Sequence, residues 1–379
     1  MLDKIAEARA LHARTLVIDT HADTPQRFRD ERWNFTRADL RGEHLSLVTA
    51  KAGGLDAEFF AAWVEPTEWR GHYAERTRSL IHSVHEQVEC SPNEMALCTS
   101  ADEIDMAYRD GKFAALIGIE GGHSIEARID LLEEFYANGV RYMTLTWSNN
   151  NEWADSSGDT EVHGGLTAFG RTVVRRMNDL GMMVDVSHVS NKTFWDVMKT
   201  STAPVIASHS SCRALTAAPR NLTDQMMRAI ADAGGAVMIN FFPAFIDEAW
   251  RAAWNALRDE RSARHREVEA PYRKSGEPVP FHVSDAVDRE FTEKVGRAPF
   301  ASLIDHFDHA LQVIGPDHVG IGTDFDGIPT PPAKIDSAAD LPLVTAALLE
   351  RGYSEADLTK VLGANLQRVF RAVEAAAVS

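Results

Sequence analysis

Short, nearly unbroken apolar runs recur along this chain, separated by amphipathic stretches of helical period. Residues 3–14 read as an amphipathic helix leading into a first strand at 16–18, which runs directly into the polar pair His21 and Asp23. Further strands are predicted at 55–64, 113–122, 141–148, 182–188, 204–210, 236–242 and 318–327. Helices are predicted at 72–90, 101–110, 126–138, 163–181 (after a loop), 191–200, 223–233, 300–314, 338–350 and 354–376. Gly139 and Gly181 are read as stop signals. Residues 246–300 break the rhythm: they are highly charged, carry no strong strand, and read as an inserted helical excursion. Eight strands rich in Val, Ile, Leu and Ala, alternating with helices, predict an α/β fold, a (β/α)8 TIM-type barrel over residues 1–379 as one domain. Such runs suit parallel strands buried on both faces. The competing arrangement is an open doubly wound sheet, which periodicity alone does not exclude; no glycine-rich phosphate loop favours it.

Composition changes this picture little. The 379 residues are 44% hydrophobic and 25% charged, as in an ordinary globular protein. The 39 Lys and Arg against 56 Asp and Glu leave a net charge of −17, which argues against nucleic acid or an anionic membrane as partner. No apolar run reaches the roughly 18 residues of a membrane span, and no signal peptide is read at the N-terminus. The three cysteines, Cys90, Cys98 and Cys212, form no disulfide framework, so a reducing, cytoplasmic setting is expected.

The chemistry lies at the strand ends. Strand one ends in His21 and Asp23, strand three in Glu120, strand five in His188, strand six in His209 and strand eight in Asp324. The C-terminal ends of barrel strands are where such folds build sites. Singly, each has a bland reading: a solvated loop acid for Glu120, capping roles for His188 and His209, an Asx-turn at Asp324. Together, three imidazoles and three carboxylates on one rim carry a desolvation cost that divalent cations would offset. Nitrogen and oxygen donors without thiolate suit zinc, with manganese or cobalt as alternatives, and the donor number suits a pair of ions about 3.5–4 Å apart.

The motifs DTHADTP, IEGGHSI, YMTLTWSNNNEWADSS, VIASHSSCRAL, PRNLTD, HVGIGTDFDG and GANLQRVF span nearly the whole chain. With them the sequence resembles the renal (membrane) dipeptidase family of the amidohydrolase superfamily. The resemblance implies that His21 and Asp23 bind one metal, His188 and His209 the other, and that Glu120 bridges them. It implies Asp324 as acid/base for a bridging hydroxide, and Arg220 as the holder of the substrate's terminal carboxylate. It further implies a small dipeptide substrate, an L-Xaa-D-Xaa peptide being the first to test, and association into homodimers.

Two positions depart from the family. Trp147 stands where well-studied members carry a histidine that contacts the substrate, and Phe242 where some have a tyrosine. An indole N–H donates one hydrogen bond but does not titrate near neutrality. His123 and His163 are the neighbouring imidazoles that would have to replace it. These departures keep two alternatives in view: the same metal site acting on another amide or a lactone, and a metal-holding barrel that binds its ligand without turnover. Cys212 reads as a small buried hydrophobe, Phe59, Phe60 and Trp63 as core, and the charged stretch 251–274 as an exposed helix in preference to a lid or partner surface.

Overall fold

The computed structural model describes residues 2–37 and 43–378. Among the described residues there are nine strands: β1 Ile18–Ala22, β2 Ala57–Trp63, β3 Met95–Leu97, β4 Phe113–Glu120, β5 Val140–Thr144, β6 Met183–Asp185, β7 Val205–Ala207, β8 Ala236–Ile239 and β9 Val319–Ile321. All pair in parallel. The order runs β2-β1-β9-β8-β7-β6-β5-β4, and β2 pairs with β4 over seven residues, from Ala57 with Ala114 to Trp63 with Glu120. That pairing closes the sheet into an eight-stranded (β/α)8 barrel and rules out the open sheet. β3 is an addition that sequence reading missed. It pairs only with Phe113, Ala114 and Ala115, before β5 takes up pairing at Ile117.

The inside of the barrel is filled by Ile18, Phe59, Leu116, Tyr142, Met183, Ile206 and Met238, with Phe370 of the closing helix Asn365–Ala376 against Phe59. Phe60 and Ala62 point the other way, into the layer between strands and helices. Phe59 and Phe60 are therefore core, as expected, on opposite faces of one strand.

Several boundaries move. The first strand begins two residues later than expected and includes His21, with a register break between Asp19 and Ala22. The helix expected at 126–138 starts only at Ile129. Residues Gly122–Ile125 make a 3-10 turn, and Glu126 and Ala127 are left-handed (φ 47° and 51°), a conformation incompatible with an α-helix. The excursion after β8 is helical, as predicted: Pro243–Ile246, Glu248–Ala256, Arg258–Ser275 and Phe281–Val295 precede the helix Phe300–Ile314. Its own small core joins Trp250, Trp254, Val287, Phe291 and Ala298. Helix Arg258–Ser275 contributes no buried residue to it. Among the described residues no helix is long and apolar enough to cross a membrane.

Candidate active site

Each strand-end residue reaches the same mouth of the barrel, by three local routes. His21 leaves from within β1, and Asp23 follows one residue past its end. Glu120 is the last residue of β4. His188, His209 and Asp324 lie two or three residues beyond β6, β7 and β9. His188 and Asp324 hold left-handed backbone (φ 67° and 63°), sparsely populated for residues with a Cβ and typical of side chains aimed by a constrained loop.

The donors divide about Glu120. Its Oε2 lies 3.5 Å from His21 Nε2, which is itself 3.5 Å from Asp23 Oδ2. Its Oε1 lies 2.8 Å from His188 Nε2 and 3.4 Å from His209 Nε2, and those two nitrogens are 3.1 Å apart. One carboxylate thus faces two donor pairs with two different oxygens. Donor atoms of His21, Asp23 and Glu120 lie within 4.8 Å of one another, as do those of Glu120, His188 and His209, and those of His21, His209 and Asp324. All are buried, and His21 Nε2 and Asp23 Oδ1 have no hydrogen-bond partner. Orphaned donors of this kind, aimed at one point, fit divalent metal.

The electrostatics say the same. Burial pushes Glu120 up to about 8, with the Asp23 carboxylate adding to it, and pushes Asp324 up to about 6. Burial holds His188 and His209 well below the usual imidazole range, in the neutral form that ligates. Burial opposes charge on His21 too, but Glu120 and Asp23 outweigh it and raise its pKa.

A supporting layer fixes these rings, and sequence reading did not single it out. Tyr142 Oη is 2.8 Å from His21 Nδ1. Ser208 Oγ is 2.7 Å from His209 Nδ1 and donates to Asp185 Oδ2 at 2.6 Å. With Nδ1 engaged, Nε2 of each ring is the ligating atom. Asn240 Nδ2 donates to Asp324 Oδ2 at 2.8 Å. Gly118 makes room for the Tyr142 ring: a Cβ there would overlap Cζ and both Cε atoms. A Cβ at Gly327 would overlap the Asp23 carboxylate in the same way.

Above the donors is a cavity of about 170 Å3 bordered by Asp23, Glu120, His188 and Asp324, with an aromatic wall of Trp63, Trp147, Phe242, Phe245 and Phe281. Trp147 and Phe242 line it, and Trp63, a core residue by the sequence expectation, joins them. Trp147 is 4.9 Å from Trp63 and 6.4 Å from His188, ring to ring. Phe281 comes from the insertion, far away in sequence. His123 and His163 do not line this cavity. His123 is buried against the carbonyl of Val64 at 2.8 Å, and His163 bonds the carbonyl of Asn151 at 2.8 Å, so neither takes the place of the missing histidine. Arg220 lies behind the cavity wall. It donates to Ser210 Oγ at 2.6 Å and to the carbonyl of His209 at 2.7 Å, its Nε has no partner, and Cζ is 5.6 Å from the Phe245 ring. Cys212 is buried with its thiol pKa raised by burial, so it is no thiolate ligand.

Known proteins resemble this chain in sequence and fold. The sequence profile described as membrane dipeptidase (peptidase family M19) matches residues 5–379. Dipeptidase tcpJ of Claviceps purpurea is 32% identical, covering 92% of this chain and 73% of that protein. Dipeptidase 3 of Homo sapiens is 31% identical, covering 98% and 68%. The crystal structure of the probable dipeptidase PvdM of Pseudomonas aeruginosa superimposes with a TM-score of 0.85 at 27% identity, covering 99% of both chains. A metallopeptidase of Rhodobacter sphaeroides, solved with a phosphinate mimic of the dipeptide L-Ala-D-Ala, superimposes at 0.75 with 25% identity, covering 95% of this chain and all of that one. With the closed barrel and the buried donor cluster at its mouth, these matches make the chain a member of the membrane dipeptidase family, a metallo-dipeptidase hydrolysing peptide bonds.

Proposed function

We propose that this dipeptidase holds two zinc ions, one by His21 and Asp23 and one by His188 and His209, with Glu120 shared between them. The observation that carries this reading is the split of the Glu120 oxygens between the two donor pairs. Imidazole and carboxylate donors without thiolate suit zinc. When bound, such ions polarise a carbonyl and make hydroxide available near neutral pH.

The remaining steps belong to the chain's own residues. Asp324, oriented by Asn240, takes the proton from the attacking water and delivers it to the leaving amine. Arg220, its Nη groups held by Ser210 and the His209 carbonyl, sets a buried positive charge behind Phe245, the side toward which the substrate's terminal carboxylate is directed. The aromatic wall excludes water around the scissile bond. Trp147 offers a neutral N–H where a charged imidazole would stand, so ions held by His21, Asp23, Glu120, His188 and His209 would supply the positive charge facing the carbonyl oxygen. L-Xaa-D-Xaa dipeptides are the first substrates to test, supported by the phosphinate bound to the Rhodobacter protein.

The apolar lining at Trp147 and Phe242 also favours a second reading, in which the site takes another amide or a lactone. Zinc-loaded protein assayed on L-Xaa-D-Xaa and L-Xaa-L-Xaa dipeptides, N-acyl amino acids and lactones separates the two. The dipeptide reading expects the dipeptides to give the highest kcat/KM. It expects Asp324→Asn to lose about 10²–10⁴-fold of that activity while still holding both zinc ions. Turnover unchanged in that variant, or confined to the other substrates, refutes it.

A further inference from the structure

Outside the metal cavity lies a second space of about 310 Å3, and the two share Trp63, Trp147, Phe281 and Gly327 in their walls. Phe242 and Phe245, the latter stacked under Arg220, border the inner cavity but not the outer one. The outer space is enclosed by the insertion on one side and by the segment after β2 on the other.

Six carboxylates line it. Five are matched by cations. Asp30 pairs with Arg76 at 2.8 Å, Asp285 with Arg27 at 3.1 Å and Arg289 at 2.7 Å, and Asp288 with His265 at 3.1 Å. Glu68 and Glu269 share Arg273, at 2.8 Å each. The sixth, Glu65, makes no ion pair among the described residues, although Arg273 is near enough to feel its charge. Its Oε2 accepts the backbone N–H groups of Thr67 at 2.6 Å and Glu68 at 2.5 Å, which leaves Oε1 for a ligand. Burial raises the pKa of Glu65, a cost that a cation beside it would offset. Glu65 follows Trp63 by two residues and borders the same space as Trp147, so an unmatched carboxylate stands at an aromatic neck.

We propose that the outer cavity receives the cationic side chain of the substrate's N-terminal residue, a lysine or arginine, with Glu65 as the residue that selects it. The proposal rests on the dipeptidase reading above. With the terminal carboxylate directed toward Arg220 and Phe245, the N-terminal residue faces the neck of Trp63, Trp147 and Phe281. A lysine or arginine has an apolar stem to pack in that neck and a charged head to carry beyond it. Indole faces favour a passing cation, and Glu65 accepts its hydrogen bonds.

The test compares kcat/KM for L-Lys-D-Ala and its uncharged near-isostere L-norleucyl-D-Ala with zinc-loaded protein. Wild type is expected to prefer lysine by about tenfold or more. Glu65→Gln is expected to bring the two peptides within about twofold, and Glu65→Lys to reverse the order. No preference in wild type, or a preference that survives in Glu65→Gln, overturns the proposal. So does an equal loss on both peptides, which would assign Glu65 to the α-amino group or to folding. If wild type cleaves neither peptide, the dipeptide reading fails separately. Calorimetric titration of Asp324→Asn protein with the same pair still reads the preference, and equal affinities there overturn it.

Discussion

Replacing Tyr142 by phenylalanine removes one oxygen atom and nothing else from the barrel interior. That oxygen is 2.8 Å from His21 Nδ1, in a site where neither group meets water. For His21 Nε2 to ligate, Nδ1 must carry the proton and donate it to Tyr142 Oη. The variant strands that N–H. Leaving a buried donor unsatisfied costs about 1–3 kcal/mol, which is about 5- to 150-fold in an equilibrium constant. The range overlaps the roughly 10–100-fold losses that follow removal of supporting residues around metals. The ring itself keeps its contact with Phe59 at 5.2 Å, so packing is preserved. His188 and His209 do not touch Tyr142, so the loss should be unequal. A competition titration of Tyr142→Phe against a chromophoric chelator at fixed pH should show one zinc equivalent weakened by about 10–100-fold. The second should fall less, and only through the shared Glu120. Two equivalents bound with wild-type affinity, or both weakened alike, would refute the reasoning.

Gly118→Ala should act through the same tyrosine. The added methyl overlaps the ring, so a lower Tm and a loss of zinc affinity are expected together, measured by thermal melts and the same titration. Loss of Tm with zinc affinity intact would detach Gly118 from the site. Chelation of the wild-type protein should lower Tm, since the ions bind only the folded donor cluster. Zinc at about 1,000-fold over Kd contributes about 4 kcal/mol per site, and melts with and without chelator would read it. An unchanged Tm would contradict a buried metal centre. Protonation of the buried imidazoles should cost the fold stability in acid, because burial lowers His12, His123 and His306 to about 4, while the carboxyls of Asp19 and Asp56, pushed up by burial to about 6 and about 7, act in the opposite direction. Folded, the imidazoles refuse protons that the unfolded chain accepts from about pH 6.5 downward, so their stability is present above 6.5 and is lost as pH falls toward 4. Each imidazole shift corresponds to on the order of 3 kcal/mol; the Tm advantage of wild type over His306→Gln should therefore shrink as pH falls from 6.5 to 4.5, and a constant difference would contradict it.

The parts of this molecule that were legible in its sequence are those where an apolar run stops abruptly at a polar residue. Glu120 ends such a run directly, and His21, His209 and Asp324 follow one within two or three residues, so that charge collects on one rim although each residue alone has a bland reading. Asn240 also follows an apolar run, AVMI, but carries no charge to mark it. Tyr142 was invisible for the opposite reason: a tyrosine inside an apolar strand is ordinary core, and only its 2.8 Å contact with His21 gives it a role. Asp185 and Ser208 are hidden likewise, one inside a strand and one just past it. β3 is three residues in a polar stretch, too short to show a period. The late start of the helix at Ile129 comes from two left-handed residues that carry side chains and so give no glycine signal. Phe281 reaches the cavity from an insertion whose placement depends on tertiary packing, which spacing along the chain does not encode.

Crystals grown with zinc and measured on both sides of its absorption edge test the central claim most directly. Two anomalous peaks are predicted, one among His21, Asp23 and Glu120 Oε2, the other among His188, His209 and Glu120 Oε1. A single peak, or two that do not share Glu120, would contradict it.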